Sequence, residues 1–197
     1  MEPLFSPSNF VGIENMAHLC TGGEAPWLRA QASVYEIFVQ CKSAGYAGRQ
    51  KIYAEGEECR NKMGQLWHVD GRRVSFMPSA AEGMSWVARG IDWRTGDNIV
   101  TTSLEFPSVA YAWRDLRARG VEVRMVDHRD YIVEESDLLA AVNARTRVMA
   151  VSQVSFYSGQ NLRIERLADG LKCGGTLLAV DATHAAGAVE AVSYTHL

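Results

Sequence analysis

Four short segments hold residue types that could do chemistry together. The first is Leu178-Ala179-Val180-Asp181-Ala182-Thr183-His184-Ala185-Ala186-Gly187. Its apolar start reads as a strand, and Asp181 stands at the strand's end, where burying a carboxylate is costly unless it is paired. Such an acid serves either as the N-cap of a following helix or as the partner of a cation, for instance a protonated ring nitrogen. The second segment is Met77-Pro78-Ser79-Ala80-Ala81-Glu82-Gly83. Ser79 with Glu82 three residues on is a capping box, so a helix starts here. Small residues at that start also leave backbone N–H groups open to a phosphate, which the helix dipole favours. In the third, Ser103-Leu104-Glu105-Phe106-Pro107-Ser108, Phe106 is either a core residue or a ring that stacks on another planar ring. The fourth, Ser152-Gln153-Val154-Ser155-Phe156-Tyr157-Ser158-Gly159, is a hydroxyl-rich, glycine-ended turn that carries little specificity alone.

A parallel sheet would gather all four, because ligands of such sheets bind beyond the carboxyl ends of the strands. Short apolar runs predict strands over Val74–Met77, Asn98–Thr102, Val121–Val126, Arg147–Val154 and Leu177–Asp181. Helical periodicity lies between them, over Glu82–Gly90, Pro107–Arg119, Ser136–Asn143 and Arg163–Cys173. The helix from Pro107 has Val109, Ala112, Trp113 and Leu116 on one face, proline in its first turn and Gly120 as its stop. Runs such as Val148-Met149-Ala150-Val151 do not alternate polar with apolar, which fits strands covered on both faces. The fold class is therefore α/β, a mostly parallel sheet with helices on both faces, over residues 74–191. A helical segment, 1–73, precedes it, with helices over Trp27–Cys41 and Ile52–Trp67 joined through Gly45–Gly48.

Composition excludes several functions. Twenty basic against 23 acidic residues in 197 give a net charge of −3, with no run of Lys or Arg longer than Arg72-Arg73. Neither nucleic acid nor an anionic membrane surface has an electrostatic footprint here. No apolar stretch approaches the ~18 residues of a membrane span, and Met1–Phe5 lacks the character of a signal peptide, so the expected location is cytoplasmic. Cys20, Cys41, Cys59 and Cys173 form no C-x-x-C pair and no zinc spacing; they read as reduced, mostly buried thiols, and no metal is expected. His128-Arg129-Asp130 echoes a kinase catalytic loop, but the position five beyond the Asp is Glu135 rather than Asn, and no glycine-rich loop precedes it. His18 and His68 have no partners at ligand spacing.

In order and wording the four segments resemble the class V aminotransferase family, fold-type I enzymes that include cysteine desulfurases, selenocysteine lyases and isopenicillin-N epimerase-like proteins. The resemblance runs from about His18-Leu19-Cys20-Thr21-Gly22-Gly23 to Val189, and its most specific piece is Val180–Gly187. It implies pyridoxal 5'-phosphate as cofactor. By that resemblance Ser79, Ala80 and Ala81 hold the phosphate through backbone N–H groups and the Ser79 hydroxyl. Phe106 sits where the family stacks a His or another aromatic on the pyridine ring. Asp181 pairs with the protonated ring nitrogen, His184 occupies the position that bonds the ring's 3-oxygen, and Ser155 of the fourth segment joins the cofactor-binding set. The implied reaction is on an amino-acid substrate through an external aldimine, in a homodimer when full length.

Three departures accompany the resemblance. Phe156 stands where many relatives carry a polar residue such as Asn, and Ala81 where the desulfurase branch carries Thr, which weighs against that branch. The family's Schiff-base lysine follows the Asp strand in a Ser-x-His-Lys-like motif. The lysines here are Lys42, Lys51, Lys62 and Lys172, all before Asp181, so no catalytic residue is assigned. The chain is accordingly read as an N-terminal fragment. Its last six residues, Val192–Leu197, resemble the translation of a transposon-type sequencing adapter and are read as a non-native tail. Two other readings stay open: a desulfurase or lyase, and a non-catalytic α/β module that binds a phosphorylated ligand.

Overall fold

The computed structural model describes residues 6–189, so the tail 192–197 and the start Met1–Phe5 lie outside the described residues. The chain divides into two compact units, Met1–Ser75 and Phe76–Leu197.

The first unit is built on two helices, α1 (Gln31–Ser43) and α2 (Gly45–Leu66). Helix α1 begins four residues later than the apolar periodicity predicts. The backbone at Leu28 is instead held by an antiparallel bridge to Phe10, with Val11 N–H donating to Trp27 O at 2.8 Å and Arg29 N–H to Asn9 O at 2.8 Å. Gly45–Gly48 is not a connecting loop. One residue, Ala44, separates the helices, and Gly45 takes a positive φ of 59° that reverses the chain at once. Gly48 lies inside α2, where a Cβ would stand 1.7 Å from Cys41 O. Glycine is there because the two backbones touch.

The second unit carries the sheet. Strands β1 (Asn98–Thr102), β2 (Glu122–Val126), β3 (Thr146–Ser152) and β4 (Leu177–Asp181) are all parallel, in the order β2-β1-β3-β4. Helices α3 (Ala80–Gly90) and α4 (Pro107–Ala110), the latter continued as a 3-10 segment over Tyr111–Arg119, are joined with one face of the sheet in a single core. Met84, Ala88, Val109, Trp113 and Leu116 pack there with Ile99, Val148 and Ala150. Helices α5 (Glu135–Ala140) and α6 (Ile164–Leu171) cover the other face, Leu138, Ile164, Leu167 and Leu171 meeting Val100, Met149 and Val151. Neighbouring residues of β1 and β3 thus enter opposite cores, which is why these strands read as unbroken apolar runs. Strand β4 reads the same way yet is an edge, with Leu177 exposed and Leu178–Val180 half-buried.

The predicted strand at Val74–Met77 does not form. Its backbone is extended at Val74, but no neighbour offers a ladder, and Phe76 and Met77 are exposed. An apolar run without a paired strand stays a connector. The other boundaries of the sheet-bearing unit moved by no more than three residues, whereas α2 starts at Gly45, seven residues before the predicted Ile52. The cysteines, expected to be mostly buried, are exposed at Cys20, Cys59 and Cys173 and half-buried at Cys41. Gly120 does end the helical segment in the left-handed conformation, at φ 77°, with its N–H on Arg117 O and Leu116 O. Among the described residues no helix is long and apolar enough to cross a membrane.

Candidate functional site

Thr102, Val126, Ser152 and Asp181 close the four strands on one rim. Asp181 is in register with Ser152 and is 8% exposed. Its Oδ1 accepts from Thr183 N–H at 2.9 Å and from the Thr183 hydroxyl at 2.6 Å. The acid therefore closes a turn two residues on, as Asx residues do, and caps no helix: residues 182–189 continue as turns and an isolated bridge. Oδ2 is nearly unclaimed. Its one partner among the described residues is the Ser108 hydroxyl at 3.4 Å, long against the ~2.7–2.8 Å usual for such a bond. A buried carboxylate with one satisfied oxygen and one open oxygen is built to accept from something else.

The exit of β1 supplies the rest of the rim. Phe106 precedes proline and is extended, at φ −64° and ψ 148°, as a pre-proline residue must be. Its carbonyl caps the helix by accepting from Val109 and Ala110 N–H, which leaves the ring outside the helix and 44% exposed. Phe156 meets that ring edge-on, centroids 4.9 Å apart at 89°. The aromatic that departs from the family pattern thus serves as a brace for the ring beside it. The Ser103 Oγ is buried without a hydrogen-bond partner among the described residues, a cost that a bound polar group would relieve.

Ser79 is the N-cap of α3, its hydroxyl accepting from Glu82 N–H at 3.2 Å. Gly83 N–H returns to Ser79 O, and the N–H groups of Ala80 and Ala81 have no partner among the described residues. Two open donors and a hydroxyl at a helix start suit an anionic group. The Ser155 Oγ accepts from Tyr157 and Ser158 N–H, both at 3.3 Å, so it shapes its turn while its own proton stays available. His184 is half-buried in the turn after Asp181 and makes no hydrogen bond among the described residues. The structure brings Asp181 to Ser108 and Phe106 to Phe156. No hydrogen bond or ring contact joins Ser79–Ala81 or His184 to them.

Sequence reasoning quoted Glu105 and Ser108 but gave them no part. Glu105 is half-buried. Its Oε1 accepts from Ser152 N–H at 2.9 Å and its Oε2 from the Ser152 hydroxyl at 2.6 Å, with the Thr102 hydroxyl at 3.4 Å. Burial above all, and then the Asp181 charge, push its carboxyl above the ordinary carboxylate value against the pull of those donors. Its local sequence, an acid between Leu104 and Phe106 at a strand exit, does not show these long-range partners. The sheet-bearing unit has one lysine, Lys172. It follows the end of α6, which runs back toward the amino ends of the strands, and its Nζ pairs with Asp169 at 2.6 Å. It is therefore remote from the rim. Among the described residues no group of three or more His, Cys, Asp or Glu could hold a metal ion.

With an exposed aromatic at the rim, an open buried carboxylate oxygen, an orphaned hydroxyl and free helix N–H groups, the residues present fit an anionic, ring-bearing cofactor. Comparison with known proteins points the same way. The profile of the family described as Aminotransferase class-V matches residues 28–191. An uncharacterized protein of Schizosaccharomyces pombe is 29% identical over 133 residues, 66% of this chain and 31% of that one. A probable cysteine desulfurase of Methanothermobacter thermautotrophicus is 28% identical over 135 residues, 68% of this chain and 34% of its own. Among solved structures, a C-DES mutant with glycine covalently linked to the PLP cofactor superposes with a TM-score of 0.86 at 20% identity, over 95% of this chain and 52% of that one. The chain thus spans about a third of these curated relatives and half of the solved structure.

Proposed function

The chain belongs to the class V aminotransferase family, and from that premise we propose that it forms the ring-holding part of a pyridoxal 5'-phosphate site in an enzyme acting on an amino acid. Pyridoxal 5'-phosphate is the family's cofactor, and a solved relative carries it. The observation that carries the reading is the Asp181 carboxylate, buried, with Oδ1 satisfied by Thr183 and Oδ2 left almost open.

Each residue has a part it can play. Ser79 with the N–H groups of Ala80 and Ala81 would hold the phosphate. Phe106, braced by Phe156, would lie against the pyridine ring and exclude water from it. Asp181 Oδ2 would accept from the protonated ring nitrogen and keep it protonated, while Thr183 keeps the carboxylate from turning away. His184 and the Ser155 hydroxyl would serve the ring's polar substituents. When bound, the cofactor supplies an electron-withdrawing ring that stabilises charge developing on an amino-acid substrate. Lys172 has no part in this, given its place at the other end of the sheet.

A second reading, a cysteine desulfurase or lyase, is favoured by the probable cysteine desulfurase among the relatives; the alanine at position 81 removes a hydroxyl from the phosphate turn and weighs against it. A homodimer is part of the proposal, supported by the uncovered apolar side chains of α1. A cytoplasmic setting is also part of it, supported by the composition.

Titration of the purified chain with pyridoxal 5'-phosphate, followed by its absorbance, tests the proposal. Saturable noncovalent binding is expected, with no lysyl adduct after borohydride. Asp181→Asn should weaken it about tenfold or more, because a charge-assisted hydrogen bond contributes about 1.5–3 kcal/mol. Unchanged affinity in that variant would reduce Asp181 to a turn-former.

A further inference from the structure

Glu105 is a half-buried acid at the rim to which the proposed function gives no work. Its position is expensive: burial disfavours the charge, and the nearby charge of Asp181 disfavours it further. Facing it are Thr102 of β1, Ser152 of β3, and Ser155 and Gln160 of the turn after β3, none of them charged. Asp181, at the end of β4, is a charged group whose field raises it. Among the described residues no cation pairs with either carboxylate. Two acids are thus held near one another at the rim, each fixed by hydroxyl and N–H donors that keep it in place without neutralising it.

The chain path ties them further. Ser152, which donates both its N–H and its hydroxyl to Glu105, stands opposite Asp181 in the β3–β4 register. Ser108, three residues beyond Glu105, reaches Asp181 Oδ2. Phe106 is the next residue after Glu105. An arrangement that concentrates negative charge at one point, with one carboxylate oxygen of Asp181 nearly unclaimed, is suited to holding a proton on a base bound there.

We propose that Glu105 is a positioning residue acting through Asp181: the second carboxylate of a pair that keeps the proton on the cofactor's ring nitrogen up to a higher pH than Asp181 alone would. This rests on the reading of the rim as a pyridoxal 5'-phosphate site. Asp181 would accept the N–H directly, and Glu105 would add its field through Asp181 without touching the ring.

The test uses the purified chain and pyridoxal 5'-phosphate labelled with nitrogen-15 in the ring, whose chemical shift reports protonation of that atom in the bound state. In Glu105→Gln, which keeps the size and most of the bonding to Ser152, the midpoint of the ring-nitrogen titration should fall by about one pH unit, a tenfold loss of proton affinity. Ser152→Ala, which removes one donor but leaves the carboxylate, should titrate with the unsubstituted chain. An unchanged midpoint in Glu105→Gln, with the labelled cofactor bound, overturns the inference and leaves the cofactor site standing. An equal fall in Ser152→Ala overturns it too, since packing rather than charge would then be responsible. Failure of the unsubstituted chain to bind the labelled cofactor overturns the underlying reading as well.

Discussion

At the scale of single residues, the rim shows how a site can be costly to its own fold. The carboxyl of Glu105 is pushed above its ordinary value chiefly by burial. A carboxyl raised in the folded state takes up a proton more readily folded than unfolded. Its favourable contribution is therefore complete below the unfolded carboxylate range, about pH 4.3, and is lost as pH rises through the raised value. Glu105→Gln, neutral throughout, should melt at a higher temperature than the unsubstituted chain at pH 7, and the gap should close toward pH 4; calorimetry across that range checks it. Phe106 behaves differently. Its ring is 44% exposed and touches Phe156 by an edge, so Phe106→Leu should cost less than about 1 kcal/mol of stability. The same change should weaken pyridoxal 5'-phosphate severalfold, since aromatic pairing contributes about 0.5–1.5 kcal/mol; paired urea unfolding and cofactor titration separate the two effects. The places of Asp181, Phe106 and Ser79 in the fold were legible beforehand because each stands where a strand ends or a helix starts. Glu105 was not, because its significance comes from Ser152, 47 positions along the chain, and from a β3–β4 register that no local pattern contains.

At the scale of elements, the loops on the helix-bearing side are tied by side chains that reach across long gaps in sequence. Arg163, the N-cap of α6, offers no side-chain cap of its own. Its N–H donates instead to Glu135 Oε1 at 3.1 Å, while its guanidinium bonds Glu135 Oε2 at 2.7 Å, and Arg166 adds a longer contact at 3.5 Å. One acid at the start of α5 thus caps α6 and pins the two helices together. Those bonds hold the Glu135 carboxyl below its ordinary value, so its contribution is present above the unfolded carboxylate range and is lost as pH falls through the depressed one. Glu135→Ala should cost about 2 kcal/mol at pH 7 in urea unfolding, held to that figure because both arginines are more than a third exposed. At pH 3 the difference should shrink. The sheet itself was legible, since β1 and β3 enter two cores and so read as unbroken apolar runs. Val74–Met77 carried the same local signal and failed for want of a partner strand, and Gly45–Gly48 read as a loop although Gly48 is needed for close helix contact. Both errors concern a neighbour that periodicity cannot name.

At the scale of the whole molecule, the apolar surface is unevenly satisfied. The sheet-bearing unit encloses two continuous cores. Helix α1, by contrast, buries none of its residues, while Val34, Tyr35, Ile37, Phe38 and Val39 are 46–61% exposed. At about 100° per residue these five cover more than half of the helix circumference, a pattern normally found in helices enclosed on several sides. An apolar surface this continuous seldom stays in water on a monomer, and a net charge of only −3 offers little repulsion against association. The purified chain should therefore associate with itself, its weight-average mass in sedimentation velocity rising with concentration above that of one chain. Val34→Glu with Phe38→Glu should shift the distribution toward monomer. Because neither side chain is buried, the pair should leave the circular dichroism spectrum and the cofactor titration unchanged. A monomer at every concentration before substitution would mean that α1 meets water in solution as it does here, and would remove the support that its uncovered side chains give to a homodimer.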